Sequence, residues 1–197
     1  ARLPKTDDEL RDLDCDLRAA RQARIFAMDP WERLGIDWDD FHPKARGILN
    51  DPFFWSEADD ASPHGNDTGA DTLAEYRKWT RRNPDRPAHE LAAALVRAWE
   101  FPAIDWTETK AENIQAAIAS NEFVVSICDD TMIAAAFAAI KMHGYCDAAT
   151  RSLALKAIER ERLACVMAHR GWSDLEDRRK SLEMMEQCLL RTPQTAD

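Results

Sequence analysis

Glycine is scarce in this chain, at six of 197 residues, and tyrosine scarcer, at two. Turn pairs between alternating apolar runs are missing. Together these absences argue against hairpins and against an all-β fold. No run of 18 apolar residues occurs, so no segment reads as a membrane span. The first ten residues, ARLPKTDDEL, lack the apolar centre of a signal peptide, although a signal already removed stays open. No CxxC pair exists. The five cysteines, Cys15, Cys128, Cys146, Cys165 and Cys188, are odd in number and far apart, which speaks for reduced thiols in a cytoplasmic protein and against a disulfide framework or a zinc site. Also missing are a phosphate loop, a dinucleotide fingerprint and a Ser-His-Asp order. Cations are in deficit, with 26 Lys and Arg against 36 Asp and Glu, a formal charge of −10. That surface repels nucleic-acid phosphates but suits a basic protein partner.

What the chain does have is an apolar fraction of 45% with seven Trp and seven Phe, enough for a packed core. It also has one acidic stretch. Residues 51–75 carry seven carboxylates (Asp51, Glu57, Asp59, Asp60, Asp67, Asp71 and Glu75) and no Lys or Arg. The stretch opens with Phe53, Phe54 and Trp55, runs through a loop shaped by Pro63, Gly65 and Gly69, and starts a helix at about Asp67 or Thr68.

The remaining pattern is helical. Thr6 and Glu9 have capping-box spacing ahead of Leu10, Leu13, Leu17 and Ala20, an amphipathic helix over residues 6–28. It fits either a helix lying on the domain or a partner-binding arm. A short helix follows at 30–34 and a helical turn at 43–49, both opened by Pro. Trp31, Trp38 and Phe41 are expected to plug this segment onto the core. Helices are expected over 71–82, 88–99 and 107–120. Residues 123–128 suit a lone strand by composition, but their flanks favour helix. Asp129, Asp130 and Thr131 are expected to cap an apolar, buried helix over 132–143, stopped at Gly144. Asp147 should cap one long helix to about His169, with Leu153, Ile158 and Leu163 inward and Arg160, Glu161 and Arg162 outward. Ser173 to Glu176 read as a capping box for a last helix, followed by a loose tail over 192–197. The sum is an all-α bundle of about seven or eight helices, divided into an arm and linker over 1–47 and a helical domain over 48–197.

The acidic stretch matches a metal site only in part. Counted from Asp60, residues Ser62, His64, Gly65, Asn66 and Asp71 shadow the spacing of a calcium loop. Pro63 at the fourth position, Asp67 at the normally apolar eighth and Asp in place of Glu at the twelfth break it. Another divalent-ion site on Asp59, Asp60, His64 or Asp67, or acid–base work with His64, remains an alternative. The simpler reading is a turn whose carboxylates satisfy backbone N–H groups. No cofactor and no catalytic residue is assigned.

Phe53, Phe54 and Trp55, followed by Ser62, Pro63, His64, Gly65, Asn66, Asp67, Thr68, Gly69, Ala70, Asp71, Thr72 and Leu73, resemble the motif of a bacterial family of YfeS-like proteins. Asp129, Asp130 and Thr131 before an Ala-rich helix are also similar. The resemblance covers roughly residues 48–165. It implies a small bacterial cytoplasmic protein and a shared loop, and it brings no catalytic residues.

The expected function is that of a non-enzymatic, acidic protein-binding module in the bacterial cytoplasm. In its most concrete form it is an immunity or antitoxin-like protein that neutralises a basic toxin or effector. The contact residues expected are Trp55, Glu57, Asp59, Asp60, His64, Asp67 and Asp71, with carboxylates meeting Lys or Arg and Trp55 as an anchor. The alternative is a metal-dependent enzyme or ligand sensor using residues 57–71.

Overall fold

The computed structural model describes Arg11, Arg18 and residues 28–195. The helix expected over residues 6–28 therefore lies outside the described residues, apart from single positions. The chain divides into two units, 1–36 and 37–197. Residues 37–47, read above as linker, thus go with the helical unit.

Within the first unit, α1 (Pro30–Leu34) starts as its sequence dictates. The Asp29 carboxylate accepts from Trp31 N at 2.8 Å, Pro30 takes the first turn, and Gly35 closes the helix in the left-handed region at φ 59°.

The second unit contains α2 (Ala45–Ile48), α3 (Asp67–Thr80), α4 (Ala88–Ala98), α5 (Ala111–Ser120), α6 (Val124–His143), α7 (Ala148–Glu161), α8 (Ala164–Arg170) and α9 (Leu175–Arg191). Single 3-10 turns form at Trp38–Asp40 and Pro52–Trp55. Among the described residues no strand is present. The chain is all-α, as its pattern predicts.

Helix α6 is the axis. It packs against α2, α3, α4, α5 and α7, while α9 lies on α7. Phe137 and Ile140 are fully buried, as are Ala134, Ala135, Ala136 and Ala138. A large apolar side chain buried this way contributes about 1.5–3 kcal/mol. The alanines contribute differently: small side chains let neighbouring elements approach the helix backbone.

Two parts of the core depart from expectation. Helix α6 begins at Val124, so Asp129 and Asp130 sit inside it and cap nothing. The apolar residues 124–128 simply extend the buried helix. The long helix expected after Asp147 is two helices, broken at Arg162 and Leu163, where Leu163 turns to extended backbone at φ −63°, ψ 138°. Arg160 and Glu161, expected outside, are fully buried, whereas Leu153 and Leu163 are only partly so. The reason is pairing. Arg160 Nε and Nη2 both donate to Asp129 Oδ1, at 2.9 and 2.6 Å, and Arg160 Nη1 donates to the carbonyls of Trp106 and Glu108 at 2.7 and 3.0 Å. Burial raises the Asp129 carboxyl and the Arg160 charge opposes that shift.

The last helix is capped by Asp174 and not by Ser173. Asp174 Oδ1 accepts from Glu176 N and Asp177 N at 2.9 and 3.0 Å. The start of the tail is not loose either. Thr192 is buried, and Cys146 N donates to Pro193 O at 3.0 Å. No single helix among the described residues is long and apolar enough to cross a membrane.

Candidate functional site: an acidic cleft

The acidic stretch begins inside the core. Phe54 stacks on Phe137 with ring centroids 5.3 Å apart. Trp55 meets Trp38 and Phe41 edge-on at 4.8 and 5.0 Å, and its Nε1 donates to Leu49 O at 2.8 Å. Trp38 and Phe41 therefore plug into this unit as their composition suggests. Lys141, 3% exposed, lies over the Trp55 ring at 4.8 Å. Burial pulls its amine down to about 7, Glu57 pulls it back up, and Arg77 lowers it further.

The loop then folds on itself. Ser56 Oγ accepts from Ala58 N and Asp59 N, Asp59 Oδ1 accepts from Ala61 N at 3.0 Å, and Ser62 Oγ donates to Ser56 O at 2.7 Å. These are the local side-chain turns that Asp and Ser favour. Gly65 is required by a close approach, since a Cβ there would fall on the Asp59 carbonyl. Gly69 has the same role against Pro63 O, 2.5 Å from a would-be Cβ. His64 is 1% exposed, and its Nε2 donates to Ala134 O at 3.0 Å, reaching the α6 backbone between small side chains. Burial and the nearby Lys141 charge hold this imidazole well below its usual range, so it is neutral. Asn66 caps α3 by accepting from Gly69 N at 2.8 Å, and Asp67 follows in the first turn.

The outside of this loop forms one wall of a cleft of about 960 Å³. Asp59, Asp60 and Asp67 line that wall, Asp174 and Asp177 line the facing wall at the start of α9, and Arg170, Trp172, Arg178 and Asp130 lie between them. The lining carries six carboxylates and two guanidiniums, a net charge of −4.

Both guanidiniums are already committed. Arg170 Nη1 and Nη2 donate to the two oxygens of Asp130 at 3.0 and 2.7 Å. Arg178 Nε and Nη2 donate to the two oxygens of Glu161 at 2.7 Å each, and its Nη1 donates to Ala61 O at 2.6 Å. Glu161 accepts from Trp172 Nε1 at 3.2 Å as well. Burial works to raise the Glu161 carboxyl, but Arg170 and Arg178 outweigh it and hold the group below its ordinary range.

Of the seven contact residues expected, the fold brings Asp59, Asp60 and Asp67 together on the cleft. Glu57 and Asp71 are exposed but outside its lining. Trp55 and His64 are a correction: both are buried, because one plugs the loop onto the core and the other pins it to α6. Neither presents a side chain to a partner. The second wall was missed. Its signal was present in Arg178, which stands four residues before Leu182 on the Leu182, Met185, Leu189 stripe. Glu161 likewise continues the Ala154, Ala157, Ile158 stripe. A charge on an apolar stripe marks a buried pair. Among the described residues no group of three or more His, Cys, Asp or Glu side chains is placed to hold a metal ion.

No family model matches the chain, and no solved structure matches it. The chain is similar to the uncharacterized protein YfeS of Escherichia coli (strain K12), with 25% identity over 147 residues. Those residues are 74% of this chain and 59% of that one, so the chain spans under two thirds of its relative's length. The resemblance to YfeS-like proteins expected from the aromatic block and the motif at 62–73 is thus present, as a distant similarity across most of the chain.

Proposed function

We propose that this protein is a non-enzymatic binding module that takes a basic polypeptide into the acidic cleft. In its most concrete form it is an immunity or antitoxin-like protein that neutralises a toxin in the bacterial cytoplasm. The observation that carries the reading is the charge of the cleft: five carboxylates outside any guanidinium pair, Asp59, Asp60, Asp67, Asp174 and Asp177, with Arg170 held by Asp130 and Arg178 by Glu161. Each exposed carboxylate contributes little alone, about 0–1 kcal/mol in an ion pair. Several around one concave surface raise the encounter rate with a cationic partner and reject anionic ones. A basic segment offers Lys and Arg to both walls at once, and Trp172 offers apolar surface between them. A small, acidic, helical protein is the profile that such neutralising proteins often share.

The test is capture of the partner from a lysate of the source organism, followed by direct titration with the purified partner. Asp59→Lys with Asp60→Lys should weaken binding at least tenfold. Glu112→Lys with Glu122→Lys makes the same change of charge on exposed residues outside the cleft, and should leave binding near wild type. An equal loss in both variants, or in neither, contradicts the reading.

A further inference from the structure

The two acidic walls come from segments more than 100 residues apart, and one buried side chain joins them. We infer that Arg178 is the positioning residue of the cleft, fixing the acidic loop relative to the start of α9. The inference rests on the reading of the cleft as a binding site.

Arg178 is 4% exposed and uses its whole fork. Nε and Nη2 clasp the Glu161 carboxylate in α7, and the remaining Nη1 reaches across to Ala61 O, the backbone of the loop between Asp60 and Ser62. Its guanidinium carbon also lies 4.5 Å over the Trp172 ring. One planar cation therefore touches α7, the loop, the cleft floor and its own helix. Only a guanidinium has donors in that arrangement. A lysine ammonium keeps the charge but not the fork. The Ala61 carbonyl is the point at which the frame can set where Asp59 and Asp60 stand, because both lie within two residues of it. The loop's other anchors, Trp55 and His64, hold its ends to the core and not to the α9 side.

Arg178→Lys separates geometry from charge, since the net charge of the lining is unchanged. Two readouts are taken: hydrogen exchange of the amides at 58–66 against those at 132–140, and affinity for a basic probe, the peptide (Arg-Gly)5. Exchange at 58–66 should rise at least tenfold with 132–140 unaffected, and affinity should fall several-fold. Glu161→Gln keeps the shape of the acid and loosens the same clasp, so it should repeat both effects more weakly if the lysine variant fails to fold. Unchanged exchange at 58–66 in a folded variant overturns the inference. So does faster exchange with unchanged affinity, because loop position would then not matter to binding. Failure of the wild type to bind the probe, or binding indifferent to Asp59→Lys with Asp60→Lys, removes instead the reading on which the inference rests.

Discussion

Gly65 shows how a single residue sets the loop. The Asp59 carbonyl occupies the space a Cβ would take, and that carbonyl also accepts from Ser62 N at 2.8 Å. Backbone cannot yield as a flexible side chain can. Gly65→Ala should therefore cost about 1–3 kcal/mol, as overpacking does, and should raise exchange at 58–66 before it touches α6. Thermal melting with hydrogen exchange checks both parts. Lys141 gives a second test. Its folded amine sits near 7, against 10.5 for an unperturbed lysine, because burial against Trp55 disfavours the charge, with Glu57 raising it and the Arg77 charge lowering it further. Between these values the unfolded chain holds the proton and the folded chain has released it. Stability should thus rise with pH, by at most about 1.4 kcal/mol per unit. The window to use is about pH 7 to 8, below the pH of about 8.5 at which unperturbed thiols are half ionised. Urea midpoints should climb across it in the wild type and stay flatter in Lys141→Met. Equal slopes would show that Lys141 is not the group responsible.

At the level of elements, α6 and α7 are joined by charge inside the core. Arg160→Met strands Asp129 in a fully buried position and removes the donor to two carbonyls. The expected loss is about 3–5 kcal/mol. Asp129→Leu combined with Arg160→Met should lose less than that single change, because no unpaired charge remains. A double-mutant cycle by chemical denaturation measures the difference, and strict additivity would rule the coupling out. The same elements show what a sequence conveys. The apolar character of 132–140, the cap at Asp147 and the stops at Gly144 and Gly171 are local signals, and they place helices well. Whether a charge lies inside depends on a partner far along the chain. Asp129 finds Arg160, and Glu161 finds Arg178, so Asp129 reads as a cap and Glu161 as surface until the pairing is known. The break at Leu163 escaped for a related reason, since neither Gly nor Pro marks it.

For the whole molecule, half of the candidate site was legible. The composition of 51–75 located the acidic wall, and its Pro and Gly residues located the loop. The facing wall at 172–181 lies far off in sequence and carries ordinary helix-start chemistry, so nothing local tied it to the first. Burial also reassigned the motif at 62–73 that resembles YfeS-like proteins. Ser62, His64, Gly65, Asn66 and Gly69 each build or anchor the loop. That motif is therefore a scaffold, and Asp59 and Asp60 are exposed carboxylates carried on the loop it shapes. The central claim is that a basic polypeptide occupies the cleft between the two walls. Hydrogen exchange of the protein with and without its captured partner tests it most directly. The result expected is new protection at 58–67 and 172–181, with the amides of α4 and α5 unchanged. Protection on α4 and α5 with none at the cleft would contradict it.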